Sequence, residues 1–301
     1  MDMKTIGIDL GGTNLRAGVV DEKGSILVEK SIRTETDKEP AYVIQQMNDM
    51  IKELMDGHDI SSIGIGSPGP LNPHEGRILS PPNLPGWEDV PLVDEVQAAV
   101  DVPVHLDNDA NAAALAEAAF GAGRGHASSF YITISTGIGG GYVLDGKIVQ
   151  GAQGYAGEIG NMILKPDGPS WSNLNAGSFE ALASGTSIGR EGKARLGVDG
   201  GAEEVFRKVK EGHEAAALIV DDTITYLAMG IANLTHIVNP SVFVLGGGVM
   251  QAEDLLLVPL RERLNDYLYP QLRNQVKLEP AELGTKAGLI GAALLGRTEA
   301  L

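Results

Sequence analysis

The stretch Thr5-Ile6-Gly7-Ile8-Asp9-Leu10-Gly11-Gly12-Thr13-Asn14 begins as an apolar strand, breaks on paired glycines and resumes as a second strand over residues 15–20. A polar turn, Asp21-Glu22-Lys23-Gly24, leads to a third strand over 25–32, so the segment reads as successive hairpins. The same order returns roughly 125 residues later. There Tyr131-Ile132-Thr133-Ile134-Ser135 runs into Thr136-Gly137-Ile138-Gly139-Gly140-Gly141, then Tyr142-Val143-Leu144, a turn at Asp145-Gly146, and a return over 147–150. Glycine hairpins are common in any mixed fold. Two in the same order point to two homologous lobes, each opening with a hairpin and ending in helices.

Between and beyond the hairpins, strands alternate with helices, which argues for α/β layers. Apolar residues at helical spacing predict a helix over 41–55, and 63–65 reads as a short buried strand. A long loop over 67–91 holds seven of the fifteen prolines, and loops of that length inside a domain are usually functional. Helix 92–100, strand 102–106 and an alanine-rich helix over 110–120 follow. The later half predicts helices over 179–183, 203–210, 214–237, 255–267 and 287–295, with strands over 241–245 and 275–279.

The bulk properties narrow the function classes. The chain has 301 residues, 43% hydrophobic and 21% charged, enough for one large or two medium domains with real cores. The absence of cysteine excludes disulfides and thiolate metal sites. No apolar stretch is read as approaching the roughly 20 residues that span a bilayer, and no secretory signal is read before the first strand, so the cytoplasm is the expected location. A net charge of −17 without a basic stripe argues against nucleic-acid binding. The same field repels nucleotides, so a nucleotide site here needs local backbone donors and a divalent cation.

Three glycine turns follow strands: Gly11-Gly12-Thr13-Asn14, Thr136-Gly137-Ile138-Gly139 and Gly246-Gly247-Gly248. Turns without β-carbons let backbone N–H groups close around a phosphate, although each alone is also what a plain tight turn requires. None fits the P-loop pattern, and none fits a dinucleotide fingerprint. Asp9, ending the first strand, suits a hydrated Mg²⁺ bridging ATP phosphates or a simple turn cap. In Leu106-Asp107-Asn108-Asp109-Ala110-Asn111-Ala112 a buried strand ends and a helix begins. A carboxylate at Asp109, near the helix N-terminus, can accept the proton of an attacking hydroxyl or can merely cap the helix. Asn108 offers a donor and an acceptor to a sugar hydroxyl.

Together, Asp9-Leu10-Gly11-Gly12-Thr13-Asn14, Asn108-Asp109-Ala110-Asn111-Ala112-Ala113, Gly157-Glu158-Ile159-Gly160 and Leu245-Gly246-Gly247-Gly248-Val249 resemble the ROK family over residues 4–296. That family comprises bacterial sugar kinases and related sugar-responsive repressors. The resemblance implies a two-lobed, actin-like (ribonuclease H-like) α/β fold, with residues 1–120 plus 285–301 in one lobe and 121–284 in the other. It implies ATP and a sugar meeting in the cleft between the lobes. By the same resemblance Gly11, Gly12, Thr13 and Asn14 grip phosphate, Thr136 and Gly137 make the second phosphate contact, and Gly247 and Gly248 lie near the adenosine. Asp109 becomes the catalytic base, and Asn83, Asn108, Asp109, Glu158 and Glu180 bind sugar hydroxyls.

One departure stands out. Family glucokinases carry a structural zinc on a histidine and three cysteines, and the matching positions here are Asn161, Trp171, Asn173 and Ser178. The expectation is a zinc-free loop held by packing, with Trp171 filling the vacated volume. The family histidine also touches the sugar, so Asn161 bears on sugar choice. The resulting expectation is an ATP- and Mg²⁺-dependent hexokinase, glucose first, acting as a homodimer or tetramer, with no nucleic-acid or membrane partner. The rivals are kinases for mannose, fructose or N-acetylhexosamines, a polyphosphate glucokinase, a sugar-sensing repressor, and an actin- or Hsp70-like ATPase.

Overall fold

In the computed structural model, which describes residues 3–297, the glycine pair at 11–12 turns the first strand back on itself. Residues 1–2 and 298–301, the outer ends of the first expected lobe, lie outside the described residues. Strand β1 (Lys4–Leu10) pairs antiparallel with β2 (Asn14–Val20), Leu10 opposite Leu15, and β2 pairs with β3 (Ile26–Arg33). β4 (Ile60–Ser67) and β7 (Val104–Asn108) add on the other side, both parallel, giving the order β3-β2-β1-β4-β7. Between β4 and β7 the proline-rich loop contains two short paired strands, β5 (Leu71–Asn72) and β6 (Arg77–Ile78), and helix α2 (Leu92–Gln97).

The chain divides into two compact units. Unit 1 takes the chain up to Ala127, Gly141–Ala156, and everything from Glu282; unit 2 takes Ser128–Gly140 and Gly157–Ala281. In unit 1, α1 (Pro40–Met55) buries Val43, Met47, Ile51 and Leu54 in the core formed with Ile6, Ile8, Ile63 and Ile65. These positions follow the helical period seen in the sequence. Each such side chain contributes on the order of 1.5–3 kcal/mol relative to exposure.

A second helical layer forms from α3 (Asp109–Phe120) and α9 (Ala287–Leu295), the latter nearly all buried. Their small residues have a steric cause. A β-carbon on Gly7 or Gly64, register partners in β1 and β4, would meet the carbonyl oxygens of Leu289 and Ala292 at 2.1 and 1.8 Å. α9 therefore lies against the bare backbone of the sheet, and alanine-rich α3 closes on it from the other side. Glu117, wholly buried in α3, accepts from the backbone N–H groups of Ala122, Glu282 and Leu283 at 3.0, 3.2 and 2.8 Å. That carboxylate ties the end of α3 to the segment leading into α9.

In unit 2, β8 (Ser128–Ile134), β11 (Val242–Gly246) and β12 (Leu278–Pro280) run parallel, Gly246 opposite Thr133. β9 (Ile138–Leu144) borders β8, so the order β9-β8-β11-β12 repeats β2-β1-β4-β7. The later residues of β9 belong to unit 1, where β9 pairs with β10 (Lys147–Ile148). Helices α4 (Phe179–Ala183), α5 (Gly185–Leu196), α6 (Gly201–Lys210), α7 (Glu214–Ile237) and α8 (Glu253–Leu264) complete unit 2. α7 has the length and composition to cross a membrane, which corrects the reading that nothing in the chain approaches a span. Here Ile219, Ile224, Leu227 and Ile231 enter the core. Mid-helix Asp221 and Asp222 meet Arg263 and Arg195 at 2.7 and 2.8 Å.

Candidate active site

The β1–β2 turn closes with Gly11 N–H donating to the Asn14 carbonyl at 2.9 Å. Thr34 braces it from β3's end: its hydroxyl donates to the Gly11 carbonyl at 2.7 Å and its N–H to the Thr13 carbonyl at 2.8 Å. Thr13 and Asn14 are exposed beyond this brace. The proline-rich loop comes to the same place. Leu84 and Trp87 are buried anchors, Asn83 between the strand and these anchors stays exposed, and a β-carbon on Gly12 would meet the Asn83 carbonyl at 2.6 Å. Gly12 is thus required for Asn83 to approach the turn. Asp9 stands beside it, its side chain 20% exposed and ion-paired with Arg16, whose guanidinium also donates to the Thr285 carbonyl at 2.8 Å.

At the β7–α3 junction the residues divide the work. Asn108 is the N-cap, its Oδ1 accepting from Ala110 N–H at 2.8 Å, and Asp109 is the first helical residue, exposed. Asn108 is thus the N-cap, and Asp109, although exposed, shares the Ala110 N–H through its own Oδ1 at 2.7 Å. The helix dipole favours the anionic form at that position.

In unit 2 the second glycine turn is built around a carboxylate. Ser135 N–H donates to the Gly137 carbonyl at 2.8 Å, and Ile138 N–H donates to Glu180 Oε2 at 2.8 Å. A β-carbon on Gly137 would lie 2.4 Å from that same oxygen. Glu180 therefore braces the turn that carries Thr136, a role that the sequence did not reveal. Burial pushes the Glu180 carboxyl above its ordinary value, opposed by the Ile138 N–H. Burial likewise raises Glu158, and the charge of Glu180 raises it further.

These shifts carry a pH dependence with a definite sign. A carboxyl raised in the fold holds its proton longer than in the unfolded chain. Its contribution to stability is full below the ordinary carboxyl range and is lost as pH rises through the raised value. Replacing Glu158 by glutamine is expected to raise thermal stability over wild type at about pH 7.5, with the difference closing by about pH 4. Melting curves of both proteins at the two pH values check this.

A cavity of about 670 Å³ in unit 2 lies within the usual size range of small-molecule sites. Thr136 and Gly248 line it, together with Gly185, Thr186, Gly200 and Phe206. Gly137 and Gly247 do not line it. Gly247 has φ 91° and a β-carbon there would sit 2.3 Å from the Ile134 carbonyl, so it serves to bring the end of β11 against β8. The cations at the rim are occupied: Lys210 pairs with Asp254 at 2.9 Å and Arg207 with Glu204 at 2.6 Å. The expectation of local backbone donors rather than free cations suits such a wall. Gly185, Thr186, Gly200 and Phe206 were missed from sequence. Ser184-Gly185-Thr186-Ser187 was the available signal, since Ser184 caps α5 by accepting from Ser187 N–H at 3.1 Å.

Asn161 does not simply stand in for a sugar contact. Its Oδ1 accepts from Asn175 N–H at 2.8 Å, tying down the loop in which the family zinc ligands would fall. Ser178, wholly buried, caps α4 by accepting from Ala181 N–H at 3.4 Å. Trp171 departs from expectation. It is 39% exposed and its ring lies under the Arg190 guanidinium at 5.7 Å, so it stacks on the surface instead of filling an interior volume. Hydrogen bonds of short side chains and backbone, rather than aromatic packing, hold this loop.

The sequence model of the ROK family matches residues 5–299. The chain is similar to the glucokinase of Thermotoga maritima, 36% identical over 97% of this chain and 96% of that protein. It is also similar to the N-acetylmannosamine kinase of Salmonella typhi, 32% identical over 99% of this chain and 100% of that protein. Among solved structures, the ROK hexokinase of Thermus thermophilus superposes with a TM-score of 0.90 at 38% identity, covering 97% of each chain. The ROK family glucokinase of Streptomyces griseus, solved with glucose and AMPPNP, superposes with a TM-score of 0.81 at 34% identity, covering 98% of this chain and 99% of that one.

Proposed function

Because the chain belongs to the ROK family and has its actin-like, two-lobed ATPase fold, we propose that it is an ATP-dependent sugar kinase, acting first on glucose, with Asp109 as the base. The observation carrying this reading is the β7–α3 junction, where Asn108 is the N-cap and the exposed Asp109 sits at the first helical position, its Oδ1 also accepting from Ala110 N–H. In the reaction, the Asp109 carboxylate takes the proton of the sugar 6-hydroxyl. That oxygen forms a bond to the γ-phosphorus of ATP, the bond from phosphorus to the bridging oxygen breaks, and the electron pair leaves with ADP.

Asn83, Asn108, Glu158 and Glu180 hold the sugar hydroxyls, carboxylates being suited to bidentate acceptance. The cavity lined by Thr136 and Gly248 takes the adenosine, and the turns at 11–14 and 136–137 donate backbone N–H groups to the phosphates. Asp9 fits a hydrated Mg²⁺. It is a single, partly exposed carboxylate already bearing Arg16, a donor set too sparse for a dry cage and adequate for an ion that keeps its waters. When bound, that ion supplies neutralisation of phosphate charge. A cytoplasmic homodimer or tetramer with no other partner is part of the same reading.

A second reading follows from Asn161. Its Oδ1 is taken by Asn175 N–H where the family histidine would touch the sugar, and a relative is an N-acetylmannosamine kinase, so the second reading is an N-acetylhexosamine as substrate. Steady-state ADP release with Mg-ATP and glucose, mannose, fructose or N-acetylmannosamine tests both. Glucose is expected to give the highest kcat/KM. A higher value for N-acetylmannosamine supports the second reading, and ATP turnover indifferent to sugar defeats the kinase assignment.

A further inference from the structure

Asp107 is a buried carboxylate that the proposed chemistry does not use. Along β7, Val104 and Leu106 are buried while His105 is exposed. Alternation puts Asp107 on the side of His105, where it should meet water, yet it is 1% exposed. Burying a carboxylate is costly unless every lone pair finds a donor. Here Oδ1 accepts from Asn108 N–H at 2.7 Å and from Asn111 Nδ2 at 2.8 Å, and Oδ2 accepts from Gln150 Nε2 at 2.6 Å. The three donors are neutral and come from three places: the next residue, the first turn of α3, and the buried segment after β10. Burial raises the carboxyl and these hydrogen bonds oppose the rise.

An apolar residue would fill such a position at lower cost, so the arrangement needs a reason. It lies in what the carboxylate holds. Asp107 grips residues 108 and 111, while Asn108 grips residue 110. The turn presenting Asp109 is thereby fixed on both sides. Asn111 gives up something for this: its Oδ1 is buried without a partner among the described residues. Gln150, itself buried, anchors the far side of the carboxylate.

We infer that Asp107, held by Asn111 and Gln150, is a positioning residue that sets the direction of the Asp109 carboxylate toward the sugar hydroxyl. The inference rests on the reading of Asp109 as the base. General bases act only within narrow geometry, and a displacement of about 1 Å can change rate by about 100-fold.

The test is a double-mutant cycle in kcat, run on Asp107→Ala with and without Asp109→Ala, alongside melting curves for each protein. Asp107→Ala alone is expected to lower kcat by about 10- to 100-fold with KM for ATP unchanged. Combined with Asp109→Ala, it is expected to change the residual kcat by less than about twofold, because the group it directs is gone. Asp107→Asn keeps the acceptor for Asn108 and Asn111, and the Gln150 amide can turn to accept from the new donor. That variant is expected within about threefold of wild type. If Asp107→Ala does not fold, Gln150→Ala removes one donor only and gives the same cycle. Equal losses of kcat in both backgrounds would make the residue merely structural and overturn the inference alone. Normal kcat in folded Asp107→Ala would also overturn it alone. Normal turnover by Asp109→Ala would remove the base assignment and the inference with it.

Discussion

Asp109→Ala is expected to lower kcat by about 10²- to 10⁴-fold, the usual contribution of a positioned general base. Its melting temperature should stay close to that of wild type. The structural ground is specific. Asn108, not Asp109, supplies the side-chain cap of α3, and Asp109 is exposed at the first helical position. Removing the carboxylate forfeits its interaction with the helix dipole, on the order of 0.3–1 kcal/mol, and its share of the Ala110 N–H, which Asn108 still accepts. Had Asp109 been the cap, alanine would cost about 0.5–2 kcal/mol of stability and leave turnover intact. Steady-state kinetics and a thermal melt on one preparation separate the two outcomes, because they predict losses in different measurements.

Gly291→Ala is expected to destabilise unit 1, against the ordinary trend. In an exposed helix interior this change gains about 0.8–1.0 kcal/mol. In α9, however, a β-carbon on Gly291 would lie 1.7 Å from the Ala112 carbonyl oxygen and 2.3 Å from its carbon. Both atoms belong to the backbone of α3, which cannot yield as a side chain would. α9 also has no room on its other side, where Gly7 and Gly64 meet Leu289 and Ala292. Forcing the layers apart is expected to reverse the sign and cost about 1–3 kcal/mol or more. Chemical denaturation measures it. A midpoint equal to or above that of wild type would mean that the layers have slack and that the small-residue seam is not what holds α9.

These two sites mark how far the sequence could be read. The glycine pair at 11–12 and its echo at 136–141 announced both hairpins because a break in an apolar run is a local signal. Helices at 214–237 and 287–295 were legible to the residue, one from its long apolar period and the other from composition alone. α5, Gly185–Leu196, was not anticipated. Its glycines 185, 189 and 192 depress helix propensity. Their purpose is tertiary: β-carbons on Gly189 and Gly192 would meet Gly201 and Val205 of α6 at 3.0 and 2.5 Å, and one on Gly185 would meet the Ser135 carbonyl at 2.7 Å. Since the start of α5 lines the 670 Å³ cavity, missing the helix meant missing Gly185, Thr186 and Gly189 in its wall.

The strand ends were shifted for a related reason. The expected strand at 63–65 extends over Ile60–Ser67, because pairing with β1 and β7 recruits polar neighbours that no apolar run marks. Asp9 could be singled out by residue type before a glycine turn, and Asn108 and Asp109 at a strand-to-helix junction, whereas Glu158 and Glu180 were named only through the family resemblance. That Glu180 braces the turn at 137–138, and that Asn161 ties down a loop, are consequences of approach between distant segments. Trp171 illustrates the same gap, since its size suggested an interior role and Arg190 instead covers it at the surface.

The central claim is transfer of the ATP γ-phosphoryl group to a sugar hydroxyl, and phosphorus NMR of the product mixture from Mg-ATP and glucose tests it most directly. Glucose 6-phosphate is expected to appear in step with ADP. ADP accompanied only by inorganic phosphate, at a rate unchanged when glucose is omitted, would contradict it.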